Sequence, residues 1–311
     1  MIRVFVSIVI TSQLIGLLYA AYCHGKPDPK AKPNHISIDR RTPRLVKIVP
    51  NGKQYTVGSE QDTFDIVHVW GLPYDMGYAH GILQNKKAKD MVDQVWQYLE
   101  EQVTQALNKT LHFKEWFLQD VANLGLDAAL DLELAATAKY TESSFFEEAR
   151  GLADGSGADF MKILHIHLIG ELTKGSCSMM GAWGSSVLKP GSLLQLRSLD
   201  WAVDGPFKDF PQVTVYHPAN QSFGHDWANF GWTGWIGSIT GMNSKKMAIS
   251  EIGVSFPDDT FGDESRFGIP FTNILRDILN YDNTLDDSIS RIANAKRTCD
   301  LILGVGDGKV M

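Results

Sequence analysis

The chain has 311 residues, a formal net charge of -7 and 44% apolar residues. That much apolar material can fill a packed core in one large domain or two small ones. Lysines and arginines are scattered along the chain rather than gathered on one face, so the charge pattern sets nucleic acid aside as a partner.

In chain order, Arg3, the apolar run Val4 to Leu18 and the small-residue ending Tyr19-Ala20-Ala21 read as a cleaved secretory signal over residues 1–21. Thr11, Ser12 and Gln13 interrupt the run, which argues against a membrane anchor. Residues 22–60 read as a linker and N-terminal extension, beginning with the proline- and lysine-rich stretch Lys26 to Pro33. The fold is expected to start at a strand over Phe64 to Val69, followed by a turn at Gly71-Leu72-Pro73 into a helix. Helical periodicity then runs to about Tyr140, with Met91, Val95, Leu99, Val103 and Ala106 or Leu107 on one core face. Phe145 to Ala153 is a further helix, and Phe160 to Leu172 carries the chain to Ser176-Cys177, so residues 61–176 form a largely helical region. From Cys177 onward the texture changes to strands, at Leu193 to Leu196, Val213 to Tyr216 and Met247 to Ile249. Helices at Ile269 to Leu279 and Leu285 to Ala295 interrupt them before the apolar run Leu301 to Leu303 and a hairpin turn at Asp307-Gly308. The class is therefore α+β, with residues 177–311 as the sheet-rich part.

Cys23, Cys177 and Cys299 are the cysteines, too few for a disulfide framework, and Cys177 is the one in chemical surroundings. About twenty residues on, past a turn at Lys189-Pro190-Gly191, lies Arg197-Ser198-Leu199-Asp200-Trp201. A hairpin over this span would bring Arg197 and Asp200 beside Cys177. A guanidinium there favours a thiolate, and cleavage before Cys177 would free an α-amine able to act as base, oriented by Asp200. A structural cysteine near a surface ion pair fits the same spacing.

Other features carry less. On strand geometry His165 and His167 would share a face, but no third ligand stands in an interpretable position, and no metal is expected. The acidic loop from Asp258 to Glu264 lacks a calcium-loop pattern. The aromatic, glycine-rich run Phe223 to Trp235 reads either as the lining of an acyl-chain pocket or membrane contact, or as a core strand. Asn108 and Asn220 lie in glycosylation acceptor triplets, in keeping with an exported glycoprotein.

The chain resembles the acyl-coenzyme A:isopenicillin N acyltransferase-like cysteine peptidase family, related to choloylglycine hydrolases, penicillin V acylases and acid ceramidases. The resemblance runs from about Val67 to Val310 and rests on an ordered set of motifs. These are Gly71 to Gly81, Glu148 to Ala153, Gly175-Ser176-Cys177, Arg197 to Trp201, Gly241-Met242-Asn243 and Ile269 to Asn273. It implies an N-terminal-nucleophile αββα sandwich preceded by a helical pro-region, a precursor cut between Ser176 and Cys177, and no cofactor. Cys177 takes the nucleophile position, Arg197 the position flanking its sulfur, and Asp200 the position binding its free amine. The backbone N–H helping to bind the oxyanion matches Gly253 by length, and Asn243 and Asn273 are the side chains within this sequence that would be tested for the same task.

The implied activity is hydrolysis of an N-acyl amide, ceramide-like or N-acylethanolamine-like and possibly a membrane lipid, in a secreted or lysosomal compartment. The alternatives are an acyltransferase using the same thioester and a truncated, non-catalytic secreted glycoprotein. Two departures stand out. Lys246, Glu251 and Ser198 occupy places where glycine or asparagine is expected. The relatives continue with strands beyond Asp307-Gly308, including an oxyanion-hole asparagine and a later arginine, so the sandwich is expected to lack its C-terminal strands.

Overall fold

Pro50 followed by Asn51, which adopts a positive φ of 59°, is the signature of a tight type II turn. It joins β1 (Arg44–Val49) to β2 (Gly52–Ser59), and β2 pairs antiparallel with β3 (Asp62–Gly71). Two strands therefore stand inside the segment that reads as linker and extension. The computed structural model describes residues 42–59, 62–107, 113–172, 176–187, 192–200, 205–253, 265–298 and 301–309. The signal sequence, the Lys26 to Pro33 linker, Cys23, Asn108, the Lys189 to Gly191 turn, Trp201, the acidic loop and Cys299 lie outside the described residues.

The described chain is α+β, with one large mixed sheet. β1, β2 and β3 continue into β6 (Pro211–Pro218), β7 (Trp227–Trp232), β8 (Gly241–Asn243), β9 (Met247–Gly253) and β10 (Leu301–Asp307), in that order across the sheet. Only the β3–β6 pair is parallel, and the helical segment lies in the crossover between them, as a parallel connection requires. β4 (Ser176–Ala182) and β5 (Leu194–Asp200) form a separate two-stranded sheet.

Alternation sets the inner face of the large sheet. Val67, Val69, Tyr216, Trp227 and Ile249 are buried against α1 (Pro73–Leu83) and α8 (Phe271–Tyr281), with Ile274, Leu275, Ile278 and Leu279 supplied by the latter. A second core lies within the helical segment. There α2 (Asn85–Leu107) presents Met91, Val95, Leu99, Val103 and Ala106, the face expected from periodicity. α3 (Glu115–Leu124) and α4 (Leu126–Ala138) are separated by Gly125, and α5 (Ser143–Ser156) lies across α1. The segment Phe160 to Leu172 is two short helices, α6 (Phe160–Ile166) and α7 (Ile169–Leu172), and α9 (Leu285–Asn294) follows α8. His165 and His167 are thus at a helix end, not on a strand.

The motif from Gly71 to Gly81 and the one from Glu148 to Ala153 meet in the α1–α5 contact. A Cβ on Gly77 would sit 2.0 Å from the Glu148 carbonyl oxygen, and one on Gly151 would sit 2.1 Å from that of Tyr74. These helices touch through their backbones, which only glycine permits.

Candidate active site

The β4–β5 register pairs Ser176 with Asp200, Cys177 with Leu199 and Met179 with Arg197. Directly paired residues share a face, so Cys177, Met179, Gly181, Gln195 and Arg197 all lie on one side of the hairpin. That side stacks on β9 and β10: the Gln195 amide donates to Ser250 Oγ (2.6 Å) and to the Gly304 carbonyl (3.0 Å). The approach is close because Gly304 has no side chain; a Cβ there would meet Ser250 Oγ at 2.4 Å and Met179 Sδ at 3.0 Å.

Arg197 Nη2 donates to Cys177 Sγ at 3.1 Å. The same guanidinium nitrogen is hydrogen-bonded to Glu251 Oε1, which lies 3.6 Å from the sulfur. Arg197 and Glu251 are 6% and 4% exposed, so their charges interact with little solvent screening. Arg197 Nε is buried and has no hydrogen-bond partner among the described residues. A buried guanidinium against sulfur stabilises a thiolate, while a carboxylate within reach can take up the thiol proton and competes for the same cation. Glu251 is absent from the residues assigned by sequence. Its signal was its place among the departures, where a charged side chain stands instead of glycine or asparagine.

The hairpin argument therefore brings Arg197 to the sulfur. It also sets Asp200 opposite Ser176, the residue before Cys177, through backbone pairing. Gly253 ends β9 opposite Leu301, two residues past Glu251. Asn243 has another task. Its Nδ2 donates to the carbonyls of Leu279 and Asp282 (both 3.0 Å), and its Oδ1 accepts from Lys245 N and Met247 N (both 3.0 Å). With its bonding capacity spent on the β8–β9 turn and the end of α8, Asn243 is a structural brace rather than an oxyanion donor. Lys246 in that turn has a φ of 64°, the left-handed conformation that glycine or asparagine adopts at least cost. Asn273 is buried in α8, where its Nδ2 donates to Thr141 Oγ1 at 3.2 Å. Asn220 is exposed in a turn, its Oδ1 accepting from Ser222 N at 2.9 Å.

His165 bonds Asp131 through Nε2 at 2.9 Å. His167 Nδ1–H donates to the Ile163 carbonyl (2.6 Å) and its Nε2 accepts from the Ile236 N–H (2.9 Å). The two imidazoles serve separate partners, and no group of three metal-ligating side chains occurs among the described residues. The His167 bonds fix a neutral tautomer, and burial lowers its pKa to about 4. The aromatic run is mainly core: Trp227 stacks on Tyr216 with ring centroids 4.1 Å apart, and Trp232 and Trp235 pack around Phe207.

Along the face of β4 that carries Cys177, a cavity of about 450 Å³ is lined by Met179, Gly181, Trp183, Leu193, Gln195 and Gly304, among others. It reaches Met179, two residues along the strand from Cys177, and its walls are largely apolar.

No protein-family profile matches the chain. The Dictyostelium discoideum protein dcd1A is 35% identical over 300 residues, covering 94% of this chain and 67% of that protein. The chain belongs to the dcd1A family. Protein dcd1B from the same organism is 34% identical over 274 residues, which is 88% of this dcd1A-family chain but 54% of dcd1B, so the chain spans about half the length of that relative. An uncharacterized protein of Archaeoglobus fulgidus is 24% identical over 266 residues, 78% of this chain and 41% of its own length. Among the described residues of this dcd1A-family member, no helix is long and apolar enough to cross a membrane.

Proposed function

We propose that this protein is an N-terminal-nucleophile cysteine amidohydrolase of αββα type, secreted or lysosomal, that matures by cutting its own Ser176-Cys177 bond. The observation that carries the reading is the buried Arg197 guanidinium 3.1 Å from Cys177 Sγ. A structural cysteine has no need of a cation, whereas a guanidinium at this distance favours the thiolate that a nucleophile requires. The exposed turn at Asn220 suits a glycan on an exported chain.

In the uncut chain Cys177 has no free amine, and Glu251 is the carboxylate nearest its sulfur among the described contacts. It takes the thiol proton as sulfur attacks the Ser176 carbonyl carbon. The peptide C–N bond breaks, its nitrogen is protonated, and a thioester joins Ser176 to Cys177. Water then hydrolyses the thioester, leaving Ser176 as a carboxylate and Cys177 with a free amine. In the mature form that amine serves as the base. The Cys177 thiolate attacks the amide carbonyl of the substrate, the amine product leaves with the proton, and water releases the acyl group from sulfur. The apolar cavity that begins at Met179 favours a substrate with a hydrocarbon acyl chain, such as an N-acyl lipid amide.

The test is intact-mass analysis after incubation with a long-chain N-acyl amide and rapid acid quench. The expected results are a new N-terminus at Cys177 and an added acyl mass on the fragment that it begins. Cys177→Ala should remain one uncut, unmodified chain. A different new N-terminus, or an acyl mass that persists in Cys177→Ala, removes Cys177 as the nucleophile.

A further inference from the structure

On the helical side of the large sheet a groove of about 650 Å³ lies between α8, α9 and the turn before α5. Most of its charged groups are already engaged. Arg291 holds Asp282 through Nε and Nη2, at 3.0 Å and 2.6 Å to Oδ1. The Asp287 carboxylate caps α9, accepting the N–H groups of Asn283 and Thr284 at 3.0 Å and 2.9 Å. Lys296 lies over the Tyr140 ring, 5.6 Å from its centroid.

Asp277 is different. It lines the groove from α8 and is only 7% exposed, and its carboxylate has no hydrogen bond or ion pair among the described residues. One turn earlier on the same helix, Asn273 Oδ1 is also buried without a donor. Asn273 does not line the groove, so Asp277 is the acceptor that α8 offers there. A carboxylate so little exposed, with no partner in the described chain, is costly to keep without a use. Burial raises the Asp277 pKa to about 7, against the pull of Arg291 and Arg276 and with the push of Glu142 and Asp282.

We propose that this groove binds a small organic ammonium ion, its N–H groups meeting Asp277 and its alkyl part lying on Ile269, Ile274 and Ala295. An ammonium supplies the charge and the donors that the Asp277 carboxylate lacks. The cavity volume is that of a small-molecule site. A bare metal ion fits less well, because no group of three ligating side chains stands here among the described residues and part of the wall is hydrocarbon.

The experiment is calorimetric titration of the full chain with hexylammonium chloride, with 1-hexanol as the neutral control. Saturable one-site binding is expected at about pH 8. It should weaken by about tenfold for each pH unit below about 7, as Asp277 takes up a proton. Asp277→Asn, of the same shape but without charge, should lose at least about tenfold in affinity. Equal binding by 1-hexanol, or affinity that falls only below about pH 5 as an ordinary exposed carboxylate would dictate, overturns the proposal. Displacement of hexylammonium by micromolar calcium overturns it in favour of a metal site. If Asp277→Asn does not fold, the pH series and the hexanol comparison on the unaltered chain decide.

Discussion

Helices α1 and α5 meet backbone to backbone, whereas the β4–β5 hairpin touches the large sheet along one face and leaves the other in solvent. In the first contact there is no room for a methyl group at Gly77 or Gly151. On the second, Met180, Leu194 and Leu196 are 59%, 62% and 54% exposed. One region tolerates no added atom; the other presents side chains that touch little. The Cys177 sulfur belongs to the second region, where Arg197 Nη2 lies 3.1 Å and Glu251 Oε1 3.6 Å from it. A rigid frame carrying chemistry on a lightly anchored element is a common division of labour, because the part that must change during a reaction cannot be the part that fixes the fold.

The largest effect should come from filling the tight contact. Gly77→Ala or Gly151→Ala forces the helices apart and should cost upward of about 3 kcal/mol, enough to abolish cooperative thermal unfolding. Leu196→Ser on the open face of the hairpin should change stability by under about 0.5 kcal/mol in the same assay. Comparable losses from both would end the contrast.

Next is the buried ion pair between Arg276 on α8 and Glu148 on α5, with side chains 6% and 0% exposed. Arg276→Met strands Glu148 in the core and should cost about 3 to 5 kcal/mol by chemical denaturation. Adding Glu148→Leu should restore most of it, since the penalty belongs to the unpaired charge.

Acid should also act on the frame. His80 is fully buried, and its Nε2 accepts from Gln212 Nε2 (2.9 Å) and from Gly234 N (3.1 Å). Burial lowers the pKa of both His80 and His167 to about 4. Unfolding lets each imidazole bind a proton already near pH 6.5, so their contribution is complete above that value and drains away as pH falls toward about 4. The expected loss by pH 5 is about 2 kcal/mol for each histidine. Asp277 and Glu133, raised to about 7 chiefly by burial, work in the opposite sense and withdraw stability as pH climbs from about 4 to 7. His167→Gln should flatten the acid limb of a denaturation series run against pH, and Asp277→Asn the neutral limb. An unchanged profile in both variants would show that other groups govern it.

The smallest expected effects, read as reactivity of the sulfur and not as stability, concern the hairpin. Arg197→Met should slow alkylation of Cys177 by iodoacetamide about threefold to tenfold, by removing the cation at the sulfur. Glu251→Gln should speed it by a similar factor, because the competing carboxylate is gone. Both variants should keep the helical circular dichroism of the parent. Equal rates in all three proteins would reduce Arg197 and Glu251 to a structural ion pair.

Local relations are legible in the sequence alone. The face of α2 follows from a period of 3.6 residues, and the meeting of Cys177 with Arg197 follows from a hairpin spanning 20 positions. Both depend only on residues near one another in the chain. β1 escaped notice because an edge strand that buries almost nothing carries no alternation to read; its residues are exposed up to Val49. His165 and His167 read as strand neighbours in sequence because a short apolar run suits either periodicity, and the packing of α6 against α2 chooses the helix. Only the tertiary structure could bring Glu251, 74 residues away in sequence, to the sulfur. The same holds for committing Asn243 to a turn and leaving Asp277, on a buried helix face, without a partner among the described residues. Such pairings depend on which elements the folded core stacks together, and that choice is made by the apolar surface of the whole chain at once.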